Sequence, residues 1–195
     1  MRYKIKVFAV LIAMIFTLPF SLHSLLMYKV FKTERSFAFY GQLFSFIPGY
    51  LGQFIRASFY KITLEECGYD LAVNIGSFFA HPSARVGKGV GLSAYSIVGT
   101  ATLQDNVMIS ARVSILSGKY QHGAGLTGDI AAEEEVSDGI RYERVVIGEN
   151  TWIGEGAITM ASVGKNCVVS AGSVVTKDMP DDMLAIGNPA RFMKR

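Results

Sequence analysis

Cysteine is almost absent from this chain. Cys67 and Cys167 stand 100 positions apart in 195 residues, which gives neither metal-ligand spacing nor a disulfide framework. Two such thiols point to a reducing compartment and to small apolar fillers rather than reactive groups. Histidine is equally scarce: His23, His81 and His122 are all there is. Acidic residues, ordinary in total, are nearly missing from one end. Residues 1–62 hold eight Lys/Arg against the single Glu34, a balance of +7, whereas residues 63–195 hold eleven against fifteen Asp/Glu, a balance of −4. The first segment also carries 15 of the 23 aromatic residues. A basic, aromatic segment joined to a mildly acidic one reads as a surface-binding part and a soluble part. Its cations flank an apolar run instead of forming a stripe, so a membrane suits this segment and nucleic acid does not.

That run, residues 7–27, reads VFAVLIAMIFTLPFSLHSLLM and contains no carboxylate, lysine or arginine. As a helix it would be roughly 31 Å long, enough for a hydrocarbon core. A basic tip (Arg2, Lys4, Lys6) precedes it as in a signal peptide, but no small-x-small cleavage site follows. Pro19 interrupts it, and Ser21, His23 and Ser24 make its second half wetter. The cations are balanced, with Arg2, Lys4 and Lys6 on one side and Lys29, Lys32 and Arg35 on the other. That balance gives no orientation. It fits a broken, re-entrant helix with both ends on the cytoplasmic face, and a tilted single span is the other form open to it. Leu43, Phe46, Ile47, Tyr50 and Phe54 then follow helical spacing, with a break at residues 47–49. Aromatic-rich amphipathic helices of this kind suit the headgroup region. Residues 1–66 are therefore expected to form a membrane-associated helical segment.

The rest of the chain repeats. Ile97, Leu103, Ile109 and Ile115 are six apart, and Ala101, Val107 and Val113 follow the first three by four. Val86 and Leu92 keep the step upstream, with a five-residue slip before Ile97. The pattern stops after Ile115 and resumes with Ile147, Ile153, Ile158, Val163, Val169 and Val175, with Thr151, Ala157, Cys167 and Ser173 as companions. A period of six is neither helical nor a plain strand alternation. It fits a short strand and a tight turn, with GEN, GKN and QDN supplying residues tolerant of left-handed backbone. Three such turns close a triangular coil, and stacked coils make a parallel β-helix. The expected fold is mainly β over residues 67–195, with a long loop at 117–144 and a C-terminal tail.

Three stretches carry a family resemblance: VVIGENTWIGEGAI, VVSAGSVVTKDMPDDM and AIGNPARF. They resemble the hexapeptide-repeat acyltransferases, which are left-handed parallel β-helices. Within that class they are similar to the maltose, galactoside and xenobiotic acetyltransferases, and above all to the O-acetyltransferases of exopolysaccharide and colanic acid biosynthesis. The resemblance covers residues 75–193. It implies left-handed winding, a homotrimer with active sites between protomers, acetyl-CoA as acetyl donor, and a histidine general base on a loop leaving the coils. His122 is the candidate for that base, since imidazole titrates near neutrality and can take a hydroxyl proton. An ungapped count from Ile115 lands the family histidine nearer Tyr120, so His122 stands two residues further along the loop. By the same resemblance, backbone near Glu155 and Ala171 meets the pantetheine arm. Thr176 and Lys177 fall at the nucleotide end, and Arg191 and Lys194 meet its phosphates. His81 and Trp152 are left with structural roles.

These readings converge on a membrane-associated O-acetyltransferase acting on a saccharide hydroxyl, in exopolysaccharide or lipid-linked glycan assembly. The expected location is a bacterial inner membrane with the catalytic domain on the cytoplasmic side, where acetyl-CoA is found. Two alternatives compete. A β-helix carbonic anhydrase needs three zinc-binding histidines across a trimer interface, which His81 and His122 alone cannot supply. A non-catalytic β-helix scaffold recruiting glycan-assembly partners to the membrane would have no use for an intact GNPAR tail.

Overall fold

The structure, a computed structural model, describes residues 2–118 and 142–195. Three helices come first: α1 (Arg2–Phe31), α2 (Arg35–Ser45) and α3 (Gly49–Thr63). The chain breaks between α2 and α3 where the sequence places Pro48 and Gly49; Pro48 is extended and Gly49 has φ +68°. Pro48 disfavours helical backbone at Ile47, so α2 has to end there. Aromatic rings bind the helices to each other, with Phe44 and Phe59 at 5.4 Å, and to the next part of the chain, with Tyr60 and Phe79 at 4.9 Å between centroids. Tyr60 is fully buried, and its hydroxyl accepts the Phe79 N–H at 3.2 Å. Arg56, also buried, ties the α2–α3 turn to the first coil. Its Nε donates to Val73 O at 2.9 Å, while Nη1 donates to Phe44 O at 2.9 Å and Ile47 O at 2.8 Å.

The expected break at Pro19 is not there. Helix α1 runs unbroken through Pro19, which sits on its exposed side, where a missing donor and a bulky ring disturb no packed contact. Its buried stripe is Val10, Thr17, Ser21 and Ser24, and Thr17 Oγ1 lies 3.0 Å from Ser58 Oγ of α3.

The coils follow in chain order. β1 (Glu66–Cys67), β2 (Ala72–Val73) and β3 (Phe78–Phe79) make the first, and β4 (Arg85–Val86), β5 (Gly91–Leu92) and β6 (Ile97–Val98) the second. β7 (Ala101–Leu103), β8 (Met108–Ile109) and β9 (Ser114–Ile115) make the third. Beyond the excursion come β10 (Val145–Ile147), β11 (Trp152–Ile153) and β12 (Ile158–Thr159). β13 (Val168–Val169), β14 (Val174–Val175), β15 (Met183–Ile186) and β16 (Arg191–Lys194) complete the stack. Strands one coil apart pair in parallel, giving three faces: β1-β4-β7-β10, then β2-β5-β8-β11-β13-β15, then β3-β6-β9-β12-β14, the first face continuing through single parallel bridges at Val163 and Met179. Only β16 runs antiparallel, folding back on β15.

Each two-residue strand turns one residue into the column, and the structure corrects the register on the third face. Val98 and Thr159 are fully buried there, whereas the expected Ile97 is 41% exposed. Pairing fixes this: Val98 lies on Ile115, and Thr159 lies between Ile115 and Val175. The apparent five-residue slips in the sequence are therefore six-residue steps followed by a short corner. Trp152 lies outward over Met108, half exposed, with Nε1 donating to Ser110 Oγ at 2.8 Å.

At the corner between the first and second faces, Asn106, Asn150, Asn166 and Asp182 all adopt positive φ. Their side chains form a ladder: Asn106 Nδ2 to Asn150 Oδ1 at 3.1 Å, Asn150 to Asn166 at 3.3 Å, and Asn166 to Asp182 at 3.0 Å. Asparagine tolerates left-handed backbone, which is why the turn triplets hold it. Cys67 and Cys167 are buried and free. Desolvation pushes the Cys67 thiol up to about 12, so it is an inert filler.

Candidate functional site

The excursion leaves the stack at the corner between the third and first faces, and its two roots are pinned together. Glu143 N–H donates to Ser117 O at 2.8 Å, and Thr100 N–H donates to Ser117 Oγ at 2.8 Å. Gly118 has φ +83°, and a Cβ there would stand 2.7 Å from Glu143 Cβ, so only glycine lets the strands close. His122 follows four positions later and lies outside the described residues, as do Tyr120 and the acidic residues from Asp129 to Asp138.

Beside this mouth is a cleft of about 390 Å³ whose lining includes Glu143, Arg144, Met160, Ser162, Lys177 and Asp178. Its wall is built from backbone–side-chain bonds: Ser162 N–H to Asp178 Oδ1 at 2.9 Å, and Val146 N–H to Ser162 Oγ at 3.1 Å. Arg144 Nη2 donates to Glu65 Oε2 at 2.8 Å, and Arg85 Nη2 donates to Glu65 Oε1 at 2.5 Å. The Arg85 and Arg144 guanidiniums hold the Glu65 carboxyl down at about 2. Arg144 Nη1 is buried and has no hydrogen-bond partner among the described residues.

The six expected cofactor residues fall in three places. Glu155 and Ala171 stack at the corner between the second and third faces, joined by the Gly172 N–H donating to Glu155 O at 2.8 Å. The Glu155 carboxylate pairs with Arg112 Nη2 one coil below. Ala94 and Ala111 continue this column downward, through Arg112 N–H to Ala94 O at 2.9 Å and Gly156 N–H to Ala111 O at 3.0 Å. A Cβ added at Gly156 or Gly172 would meet nothing within 4 Å, so backbone is open to approach along this edge. Arg191 belongs with this group, because it pairs with Ile186 just where the second face ends. Lys194 pairs with Met183 at the far end of the same strand. Thr176 and Lys177 sit at the excursion corner, and only Lys177 of the six lines the cleft. A single protomer thus gathers Glu155, Ala171 and Arg191 along one edge and places Lys177 on another.

His81 stands on the excursion's corner, in the first coil. Its Nδ1 lies 2.7 Å from Glu34 Oε2, and its ring is 4.7 Å from that of Tyr142. Nothing in the six-residue pattern marks Arg144 or Ser162 as cleft residues. Arg144 precedes the restart of the register, and a single arginine beside a loop looks like any surface charge.

A family profile described as "Hexapeptide repeat of succinyl-transferase" matches residues 144–177. The galactoside O-acetyltransferase of Escherichia coli (strain K12) is 34% identical over 98 residues, 49% of this chain. The chain spans 44% of that relative's length. Among solved structures, a maltose O-acetyltransferase from Clostridium difficile 630 superposes with TM-score 0.68 at 26% identity, covering 86% of this chain and 88% of the other. A hexapeptide-repeat acetyltransferase from Vibrio cholerae O1 biovar eltor, VCA0836, solved with acetyl coenzyme A, gives TM-score 0.67 at 21% identity, covering 82% and 85%. The stack is a parallel β-helix that superposes on these proteins.

Proposed function

We propose that this chain, a hexapeptide-repeat protein by its sequence and by its fold, is an O-acetyltransferase that moves acetyl from acetyl-CoA to a saccharide hydroxyl at a membrane surface. The observation that carries this reading is the superposition on a maltose O-acetyltransferase over 86% of the chain. The open edge fits the donor. Small residues and two unobstructed glycines would let a pantetheine arm lie against backbone, and Arg191 at the end of that edge would meet phosphate. Thr176, Lys177 and Lys194 then come to the nucleotide from other edges, which matches a site shared between protomers of a trimer.

In the proposed transfer, His122 accepts the proton of the acceptor hydroxyl as its oxygen attacks the thioester carbonyl. Backbone N–H groups stabilise the oxyanion, and its collapse expels the CoA thiolate, which takes up a proton. The mouth at Ser117 and Glu143 holds both roots of the loop that carries His122 beside the cleft. Arg144 and Lys177 offer the cleft two cations, set against Glu143 and Asp178. Such a mixed lining suits a saccharide carrying phosphate, as a lipid-linked glycan precursor does. Residues 1–66 would hold the enzyme at the cytoplasmic leaflet of a bacterial inner membrane.

Calorimetry with the full-length protein in detergent tests the reading. Acetyl-CoA should bind saturably and the complex should acetylate oligosaccharide acceptors. Absence of any acetyl-CoA binding would leave the non-catalytic scaffold in its place.

A further inference from the structure

Helix α1 is amphipathic in the wrong sense for water. It turns Thr17, Ser21 and Ser24 inward and leaves Phe8, Ile12, Ile15, Phe16, Leu22 and Phe31 all more than half exposed. Small and hydroxyl residues at a helix–helix contact, with large apolar residues facing out, is the arrangement found where the surroundings are lipid. Phe39 of α2, with Phe46 beside it, and Tyr50 and Leu51 of α3 extend the exposed apolar surface.

Length and hydropathy would let residues Lys6–Phe31 cross a bilayer. The attachments of the helix do not. Near its start, Lys6 Nζ donates to Asp70 O at a corner of the first coil. Just past its end, Glu34 meets His81 at another corner of the same coil. Between these points α1 packs along α3, which itself packs on β1 and β2. A spanning helix of about 45 Å must put its ends on opposite sides of a core about 30 Å thick. Here both ends are fastened to one turn of the β-helix.

We infer that the three helices form a monotopic base, in which α1 lies in the plane of one leaflet with its outer face among the acyl chains and the β-helix standing clear of the membrane. The inference rests on the membrane reading above and adds to it a geometry. The occupant is a lipid surface, and charge argues for it over a second copy. Lys29, Lys32 and Arg35 are exposed around one end of this base, within a segment of net charge +7. Anionic headgroups neutralise that end, whereas a self-complementary dimer would press like charges together. Placed this way, every coil is on the same side of the bilayer. The cleft at Arg144 and Lys177 then lies on the aqueous side of the headgroups, on the side from which an acceptor anchored in that leaflet would project.

The test is a depth measurement on full-length protein bound to phosphatidylethanolamine–phosphatidylglycerol vesicles. Single cysteines at Phe8→Cys, Ile15→Cys and Leu22→Cys carry an environment-sensitive fluorophore, quenched by lipids spin-labelled at known depths; the native thiols are buried and stay unlabelled. The expected result is one shared shallow depth for all three, about 5–10 Å below the headgroup boundary. Ile15 at the bilayer centre with Phe8 and Leu22 nearer opposite interfaces would overturn the inference in favour of a span. Ile15 deepest with the other two near one interface would restore the re-entrant form. Bound vesicles without lipid quenching, together with dimerisation in lipid-free detergent, would assign the face to a second copy. Failure to co-float with vesicles at all would strike the membrane reading itself, a separate outcome.

Discussion

His81 Nδ1 and Glu34 Oε2, 47 positions apart, lie 2.7 Å from each other and tie the far end of α1 to the first coil. A carboxylate on Nδ1 fixes the ring's orientation and strengthens the joint. His81→Ala should lower unfolding stability by about 1–2 kcal/mol, typical of a partly buried bond to a charged group, and leave turnover nearly unchanged. Denaturant titration beside an acetyl-transfer assay checks both halves. A collapse of turnover with stability intact would move the base from His122 to His81.

If His122 is the base of the proposed transfer, its loss has a rate effect. His122→Ala should lower turnover by about 10²- to 10⁴-fold, the usual worth of a positioned base, while acetyl-CoA binding survives. His122→Asn is the sharper variant, since it keeps some hydrogen bonding and cannot take a proton near neutrality. Tyr120→Phe should be mild. Near-normal transfer by His122→Ala would end this assignment.

Arg191 and Lys194 stand at opposite ends of one strand, and they should behave differently. Arg191→Ala, on the open edge with Glu155 and Ala171, should raise the KM for acetyl-CoA and leave the acceptor's KM alone. Lys194→Ala in the same assay should have the smaller effect. A change confined to the acceptor would reverse the two ends of the site.

Glu65 makes acid stability a local matter. Its carboxyl is held at about 2 by Arg85 and Arg144, below an ordinary value of 4.5. A depressed carboxylate contributes stability that is complete above the unfolded pKa and is lost as pH falls through the folded one. The loss therefore runs between about pH 4.5 and 2. Because the pair is largely solvated, Glu65→Gln should cost only about 0.2–1 kcal/mol at neutrality. Unfolding curves of variant and parent should converge by pH 2.

Thr159 points inward with its hydroxyl buried and unpartnered among the described residues. Valine has the same shape without the polar atom. Thr159→Val should raise stability by about 1 kcal/mol, read as a higher midpoint at unchanged slope in urea. Thr159→Ser, which keeps the hydroxyl and loses a methyl, should move the other way.

The stack was largely readable from the sequence because six-residue steps and Asn-bearing corners each encode one physical requirement, a buried aliphatic and a left-handed turn. The reading failed where two neighbours meet the same requirement. Ile97 and Val98 are both apolar and β-branched, so only pairing with β3 and β9 decides which faces inward. It failed again at Pro19, where the effect of a proline depends on which side of the helix it occupies. Part of the layout of the candidate site follows from the same stacking. Glu155, Ala171 and Arg191 converge because fixed-length coils stack fixed offsets into columns. The cleft at Arg144 and Ser162 depends on how two ends of a long insertion close, which no local spacing records.

The asparagine ladder has a consequence for how such a protein can change. Asn106 bonds directly to Asn150 although the whole excursion lies between them, and Asn150 bonds to Asn166 in the same way with none. The third and fourth coils thus stack as if the intervening chain did not exist, and its roots meet in one backbone bond at Ser117 and Glu143. An insertion held this way behaves as an exchangeable cassette. Its length and chemistry can change without disturbing the coils on either side, because the Asn106–Asn150 contact does not pass through it.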